Sequence, residues 1–335
     1  MNTQSIETIQ TVVIGAGIAG LTAARALQRV GGEVLVLEKS RGLSGRAATR
    51  RLHGHRVDHG AQYFTVRDER FQFQVDAWLE TGQVKVWSEG FHTLTHEGLE
   101  EPNDGHPRYV FPNGMNTFGK LLGEGLHVRT ETRVERLVCE EERWRLELTT
   151  GETLKAERVL VNVPAPQALE LCRDAGLSQR TTDALRGVEF APCFTLMAGY
   201  AARDVGWRGV TVKDEEVART LSWVSLDSSK RETEGEEMTI VLNGSPNFSK
   251  EHLESDREVI KEKMLGASTV LGDWITQPNW TDMQRWLYSM VTEPYPEPYL
   301  KEDDSLFFCG DWCGGAKVEA AYLSGLEVGQ ALTQR

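Results

Sequence analysis

A chain of 335 residues, 40% apolar and 26% charged, is ordinary for a soluble globular protein but long for one compact core, so two domains are expected. A formal charge of −13 argues against nucleic-acid and anionic-membrane partners, since both are bound through basic surface. Five scattered cysteines (Cys139, Cys172, Cys193, Cys309, Cys313) make no disulfide framework and suit a reducing cytoplasm.

In chain order, "MNTQSIETIQ" lacks the basic start of a signal peptide, and the apolar stretch Thr11 to Leu27 is broken by Arg25 and glycines, so no membrane span is expected. Residues 10–14, "QTVVI", and 33–38, "EVLVLE", are short β-branched runs of the kind found in buried parallel strands. Between them "LTAARALQRV" has apolar residues at helical spacing and stops at Gly31-Gly32. This is a βαβ unit. Residues 126–138 and 143–148 alternate as strands do, "TTGET" (149–153) supplies a turn, and "RVLVNVP" resumes a buried strand. Residues 194–200, 220–226 and 238–243 read as further strands, separated by polar loops such as "SSKRETEGEE". Residues 249–272 read as one solvated amphipathic helix, and the chain closes on the strand "LFFCG" and a helix beginning near Lys317. The mixture implies α/β plus α+β layers.

"VVIGAGIAGLTAARAL" places Gly15, Gly17 and Gly20 as G-x-G-x-x-G between strand and helix. The first glycine permits the tight turn, the second lets a pyrophosphate approach the backbone, and the third lets helix pack on strand. The helix N-terminus then offers free N–H groups and a partial positive charge. Glu38 ends the next strand, 18 residues after Gly20, where a carboxylate can bind an adenosine ribose. The basic loop that follows, "KSRGLSGRAATRR", carries Arg41 and Arg46 toward phosphates, which favours a flavin dinucleotide over a nicotinamide one.

A flavin dinucleotide needs protein at both ends. "LFFCGDW" ends a strand in Gly310-Asp311, where a carboxylate can accept from ribityl hydroxyls, and the helix start near Val318 can face the negative pole of a reduced ring. Cys309-x-x-x-Cys313 lacks redox spacing, and no second cysteine pair completes a zinc site, so thiol and metal chemistry rank low there. "HGHRVDH" would put His53, His55 and His59 on one strand face, as a metal site could use; without a matching ligand cluster, the plainer reading is a polar hairpin arm, and no metal is expected.

"GAGIAGLTAARAL", "EKSRGLSGR", "DHGAQYFTVRDERF", "RWLY" (285–288) and "CGDWCGGAKVEAAYLSGLE" together resemble the bacterial renalases, a branch of the flavin-dependent amine-oxidase superfamily with the p-hydroxybenzoate-hydroxylase type of fold. The resemblance runs from residue 12 to about 330. It implies a discontinuous Rossmann-like FAD-binding domain (1–66, 108–175 and 285–335) and a mixed-sheet substrate domain (67–107 and 176–284). It implies non-covalent FAD, with Ile18, Ala19 and Gly20 at the pyrophosphate and Glu38, Lys39 and Arg46 around the adenosine side. Ala61, Gln62 and Tyr63 would lie beside the isoalloxazine, Val134 would offer backbone bonds to adenine, and Gly310, Asp311, Val318, Glu319 and Ala320 would close the flavin end. Two positions depart from the family. Ser44 stands where its loop usually has glycine, which a negative φ would tolerate, and Asn243 stands where histidine is usual.

The activity implied is an FAD-dependent oxidase acting on dihydronicotinamide isomers, NAD(P)H reduced at the 2 or 6 position, with hydride passing to flavin N5 and dioxygen yielding hydrogen peroxide. Gln62, Tyr63, Asn243, Trp286 and Tyr288 would orient the substrate ring, none as acid or base, and Trp223 is a further cavity-wall candidate. The alternative is a monoamine- or polyamine-type oxidase, which commonly uses a lysine-held water near N5; the sequence identifies no such lysine. A chain that binds FAD only as a structural or sensing ligand is the reading from another class.

Overall fold

The computed structural model describes residues 8–102, 104–231 and 237–333, so part of the polar loop after Lys230 and both chain ends lie outside the described residues. The chain divides into two compact units, 1–46 with 116–189 and 291–335, and 47–115 with 190–290. Segments 47–66, 108–115 and 285–290, expected in the cofactor domain, fall in the second unit, and 176–189 falls in the first.

The first unit is built on a parallel core sheet. Strand Thr8–Ile14 lies between Val34–Leu37 and Thr153–Val161; His127–Arg129 extends one side and Leu306–Phe308 the other. Val12, Val13, Val36 and Val159 to Val161 are fully buried, as strands covered on both faces require. Thr153–Val161 is long enough to pair also with Arg143–Leu148, which pairs antiparallel with Val134–Glu140. The stretch expected as one strand over 126–138 is therefore two. Thr130–Arg133 leaves the ladder because Glu131 N–H turns back to Ser40 O (3.0 Å), Glu131 itself having positive φ (53°).

Helix Ile18–Arg29 packs on the last helix, Val318–Thr333, so the beginning and end of the chain meet within this unit. The packing is backbone-close: a Cβ at Gly325 would lie 2.2 Å from Ala19 O, and one at Gly329 2.7 Å from Ala26 Cβ.

The second unit is a seven-stranded sheet in the order Trp280–Glu293, Glu189–Ala201, Glu237–Gly244, Leu221–Leu226, Gly209–Val212, His92–Thr95, Gly98–Glu100. Side-chain alternation separates its faces. Leu196, Ala198, Ile240, Leu242 and Val224 face the main core, where Ile260, Met264 and Leu265 of helix Arg257–Ala267 cover them. Met197 and Val241 face the other way, onto Val57 of the hairpin Thr49–Leu52/His55–Asp58.

The single helix expected over 249–272 is broken. Ser245 caps Pro246–Glu251, Asp256 caps Arg257–Ala267 by accepting from Glu258 N–H (2.8 Å), and a 3-10 turn spans Ser268–Leu271. Nor is it wholly solvated, since Ile260 and Met264 are fully buried. Among the described residues no helix is long and apolar enough to cross a membrane.

Candidate functional site

In the first unit, the glycine turn is shaped against Asn162. Gly15 has φ of 102°, and a Cβ there would sit 2.4 Å from Asn162 O. A Cβ at Gly17 would meet Asn162 Nδ2 at 2.9 Å, and one at Gly20 would meet Gly15 O at 2.5 Å and Asn162 Nδ2 at 2.6 Å. Asn162 Nδ2 donates to Gly15 O (3.1 Å). All three glycines thus answer to one polar residue that the sequence reading passed over; its signal was an asparagine inside the apolar run "VLVNVP".

The helix beginning at Ile18 suits an anion. Gly17 supplies no side-chain cap and the first turn carries no acidic residue, so the N–H groups of Ile18, Ala19 and Gly20 face outward without a helical acceptor. Glu38 is 7% exposed and holds the turn: Oε2 accepts from Ala16 N–H and Oε1 from Ser40 N–H, each at 2.8 Å. Each oxygen keeps a further lone pair. Thr132 N–H donates to Glu38 O (2.8 Å), which brings the segment before Val134 to this corner, and a register shift between Val134 and Arg136 interrupts the ladder there. Lys39 Nζ reaches Gln167 Oε1 at 3.4 Å.

Arg46 and Asp311 form a half-buried ion pair at 2.5 Å, joining the basic loop to the C-terminal segment. Gly310 N–H donates to Ser324 Oγ of the last helix (3.0 Å), and Val318, Glu319 and Ala320 form that helix's first turn. Cys309 and Cys313 are core residues, 0% and 1% exposed, and burial pushes both thiols up, away from nucleophilic thiolate. The "GDWC" turn is tied by Tyr295 N–H to Trp312 O and Gly314 N–H to Tyr295 O, both 2.8 Å.

Ser44 does not have the negative φ that would make a serine there easy to tolerate: its φ is +94°. The residue is kept there by neighbours. Ser44 N–H donates to Ala16 O (2.8 Å) and Oγ accepts from Gly119 N–H (3.2 Å), while Gly119 offers no Cβ to clash with it.

The second unit holds Ala61, Gln62, Tyr63, Asn243, Trp286 and Tyr288. Asn243 is paired with Thr195 and Trp223 across the sheet, on the face of Met197 and Val241. Its Oδ1 and Trp223 Nε1 are buried without a hydrogen-bond partner among the described residues. Along the strand Trp280–Glu293, alternate side chains meet the hairpin: Trp280 stacks on His53 and His55 (4.8 and 6.2 Å), and Asp282 and Gln284 bind Arg50 (2.9 and 2.6 Å).

Trp286 Nε1–H donates to His59 O (2.8 Å) and its ring stacks on the His59 imidazole, centroids 5.4 Å apart at 13°. Tyr288 meets Phe190 edge-on at 5.7 Å. The three histidines do not share a strand face, because His53 occupies the hairpin turn with φ of 48°, and all three are stacking partners of tryptophan. Among the described residues no group of three or more His, Cys, Asp or Glu is placed to hold a metal ion.

Gln62 is 6% exposed and its amide is fully engaged. Nε2 donates to Asp58 O (2.6 Å) and Gly60 O (3.1 Å), and Oε1 accepts from Ser225 Oγ and Lys230 Nζ (both 3.0 Å). Lys230, fully buried, also binds Asp227 (2.7 Å) and Asp58 (3.4 Å); Arg231 pairs with the same two aspartates at 2.6 and 2.9 Å. Burial pushes the Asp58 carboxyl up, but the Lys230 and Arg231 charges, with hydrogen bonds from Thr49 and Met115, hold it below the usual carboxylate range. The sequence signal for this cluster was present in "RVDHGAQY" and "LDSSKR", but only the fold joins them. Tyr63 sits among Phe91, Trp223 and Trp87 at 4.9, 5.7 and 6.4 Å, with the Arg108 guanidinium 5.9 Å from its ring centre.

A dinucleotide-binding turn, a carboxylate at the following strand end and a returning C-terminal helix within one unit define a flavoprotein of the oxidoreductase class. The profile for "Flavin containing amine oxidoreductase" matches residues 68–333, and that for an NAD(P)-binding Rossmann-like domain matches residues 13–74. The chain belongs to the flavin-containing amine oxidoreductase family and is an FAD-dependent oxidoreductase.

Within that family its sequence is renalase-like. It is 26% identical over 301 residues to renalase of Mus musculus, covering 84% of this chain and 85% of that protein. A shorter match, 38% over 97 residues, reaches pseudooxynicotine dehydrogenase of a Pseudomonas species, covering 29% of this chain and 16% of that one. Solved structures agree in fold. A putrescine oxidase bound to putrescine superposes with a TM-score of 0.74 at 14% identity, covering 98% of this chain and all of that one. Cyclohexylamine oxidase from Brevibacterium oxydans superposes at 0.74 and 12%, covering 98% and 99%.

Proposed function

We propose that the protein is an oxidase of dihydronicotinamide isomers, the 2- or 6-dihydro forms of NAD(P), which it returns to NAD(P)⁺. Non-covalent FAD, when bound, supplies the hydride acceptor and passes the electrons to dioxygen as hydrogen peroxide. The glycine turn and Ile18, Ala19 and Gly20 hold its diphosphate; Glu38, Lys39, Arg46 and Val134 hold the adenosine side. For the ring, the candidates of the first unit are Gly310, Asp311, Val318, Glu319 and Ala320, and those of the second are Ala61, Gln62 and Tyr63.

One observation carries the reading. The ionisable groups bonded or stacked to the segment Asp58–Tyr63 are neutralised: Asp58, Asp227, Lys230 and Arg231 balance one another, Arg108 over the Tyr63 ring is paired with Asp104, and burial holds the His59 imidazole neutral, with its pKa pushed down to about 4. A dihydropyridine expels hydride unaided and needs orientation instead of a general base. Tyr63, Asn243, Trp286 and Tyr288 offer rings for stacking and an amide for hydrogen bonding, and the backbone of Gln62 replaces its engaged side chain in this role.

The alternative is oxidation of primary or secondary amines, as the names of the structural relatives imply for those proteins. A buried lysine is present after all, but the three hydrogens of Lys230 are committed to Asp227, Gln62 and Asp58, leaving none to hold a water. Anaerobic mixing separates the two readings. The flavin band should bleach rapidly with 2- and 6-dihydronicotinamide dinucleotides and remain with monoamines. Bleaching by amines alone reverses the assignment.

A further inference from the structure

We propose that Lys230, braced by Asp227 and Arg231, is a positioning residue whose task is to fix the amide plane of Gln62 and so the backbone of Gly60–Tyr63. This rests on the reading that Ala61–Tyr63 borders the flavin ring.

The cluster is unusual in its burial. Asp58, Asp227 and Lys230 side chains are 0% exposed and Arg231 is 7% exposed, so two anions and two cations share a dry site. Desolvating four charges is costly, and apolar residues of similar volume would often hold a fold as well or better. What apolar residues cannot do is address a particular amide.

Here the addressing is complete. Both lone pairs of Gln62 Oε1 are taken by Lys230 and Ser225, and both hydrogens of Nε2 by Asp58 O and Gly60 O. Turning the amide over would set its NH₂ against an ammonium. One orientation survives, and it closes residues 58–62 into a ring.

The other end of that ring is anchored with equal care. Asp58 Oδ1 accepts from Thr49 Oγ1 (2.6 Å) and Met115 N–H (2.9 Å), and Asp58 N–H donates to Asp227 Oδ1 (3.3 Å). Asp227 therefore holds both Lys230 and the backbone that Lys230 organises. The Trp87 ring lies 5.1 Å from Lys230 Nζ. Because the four charges cancel, the effect on the neighbouring segment is geometric and not that of an uncompensated field.

Lys230→Met leaves a buried excess negative charge and an empty Gln62 lone pair; adding Asp227→Asn removes the excess charge but sets an amide NH₂ where an Asp227 oxygen accepted from Arg231 Nη1 or Asp58 N–H, so Ser225→Ala is the cleaner control. Ser225→Ala empties the other lone pair with no change of charge and little risk to folding. Each holoprotein is assayed for FAD stoichiometry, for amide hydrogen exchange over 59–63, and for the flavin reduction rate constant at saturating reductant. The double variant should keep its FAD, exchange about tenfold faster over 59–63, and reduce about 10- to 100-fold more slowly with little change in KM. Ser225→Ala should move the same way by a smaller factor.

Wild-type exchange and reduction in the double variant, or in Ser225→Ala should the double variant not fold, overturn the proposal. If amines prove to be the reductant, the substrate reading fails while the exchange measurement, and the rate constant read with an amine, still decide this one.

Discussion

His59 provides a test that isolates one buried group. It is 7% exposed, its Nδ1 is buried without a hydrogen-bond partner among the described residues, and its ring lies on Trp286. Burial foremost, then the Arg50 charge, against the opposing pull of Asp58 and Asp282, pushes its pKa down to about 4. In the unfolded chain it titrates near 6.5. Between those values the unfolded state takes up a proton that the folded state refuses, so stability is full above pH 6.5 and is lost as pH falls toward 4. The loss is about 2 kcal/mol by pH 5 and approaches about 3 kcal/mol below pH 4. His59→Phe keeps a ring against Trp286 and removes the titration. Thermal melts at pH 7.5 and pH 5.0 should show the wild type losing roughly 4–8 °C more than the variant, taking the second unit's size into account. Equal losses in the two proteins would refute the assignment of a neutral, proton-refusing imidazole.

Asn162→Ala removes the amide that binds Gly15 O, and the FAD dissociation constant should rise about tenfold in a titration of the apoprotein. Asp311→Ala leaves Arg46 without its 2.5 Å partner and should likewise weaken FAD retention by about tenfold or more, read by equilibrium dialysis. Ser44→Ala keeps the strained φ and loses the Gly119 bond, whereas Ser44→Gly loses the bond but relieves the strain; the glycine variant should be the more stable by about 1 kcal/mol in denaturant titrations. Gly325→Ala would press a methyl onto Ala19 O at 2.2 Å and displace the helix whose first turn is proposed to hold the diphosphate, so it should lower Tm and FAD affinity together. A lowered Tm with unchanged FAD affinity would show that the helix start does not depend on that packing.

What was legible in the sequence was what depends on neighbours along the chain. The βαβ start could be read because its turn, caps and β-branched runs are local, and the C-terminal strand and helix for the same reason. The break at Asp256 was also local, an aspartate two residues before Glu258, but helical periodicity on both sides masked it. The φ of Ser44 could not be read locally because it is imposed from Ala16 and Gly119, 28 and 75 residues away. Asn162, Lys230 and His59 share this character. Each is an ordinary polar residue in a short motif, and each acquires its role from atoms more than 100 residues away: Gly15, Gln62 and Trp286. Such residues follow from topology, since a strand that pairs beside a glycine turn, or a sheet face that covers a hairpin, decides which polar groups become buried together. A buried polar group must then find partners or give up its charge. Lys230 found three acceptors and His59 gave up its proton. On the proposed reading, an unassisted hydride donor can use a site so disarmed of acids and bases, and a substrate that must first be deprotonated cannot.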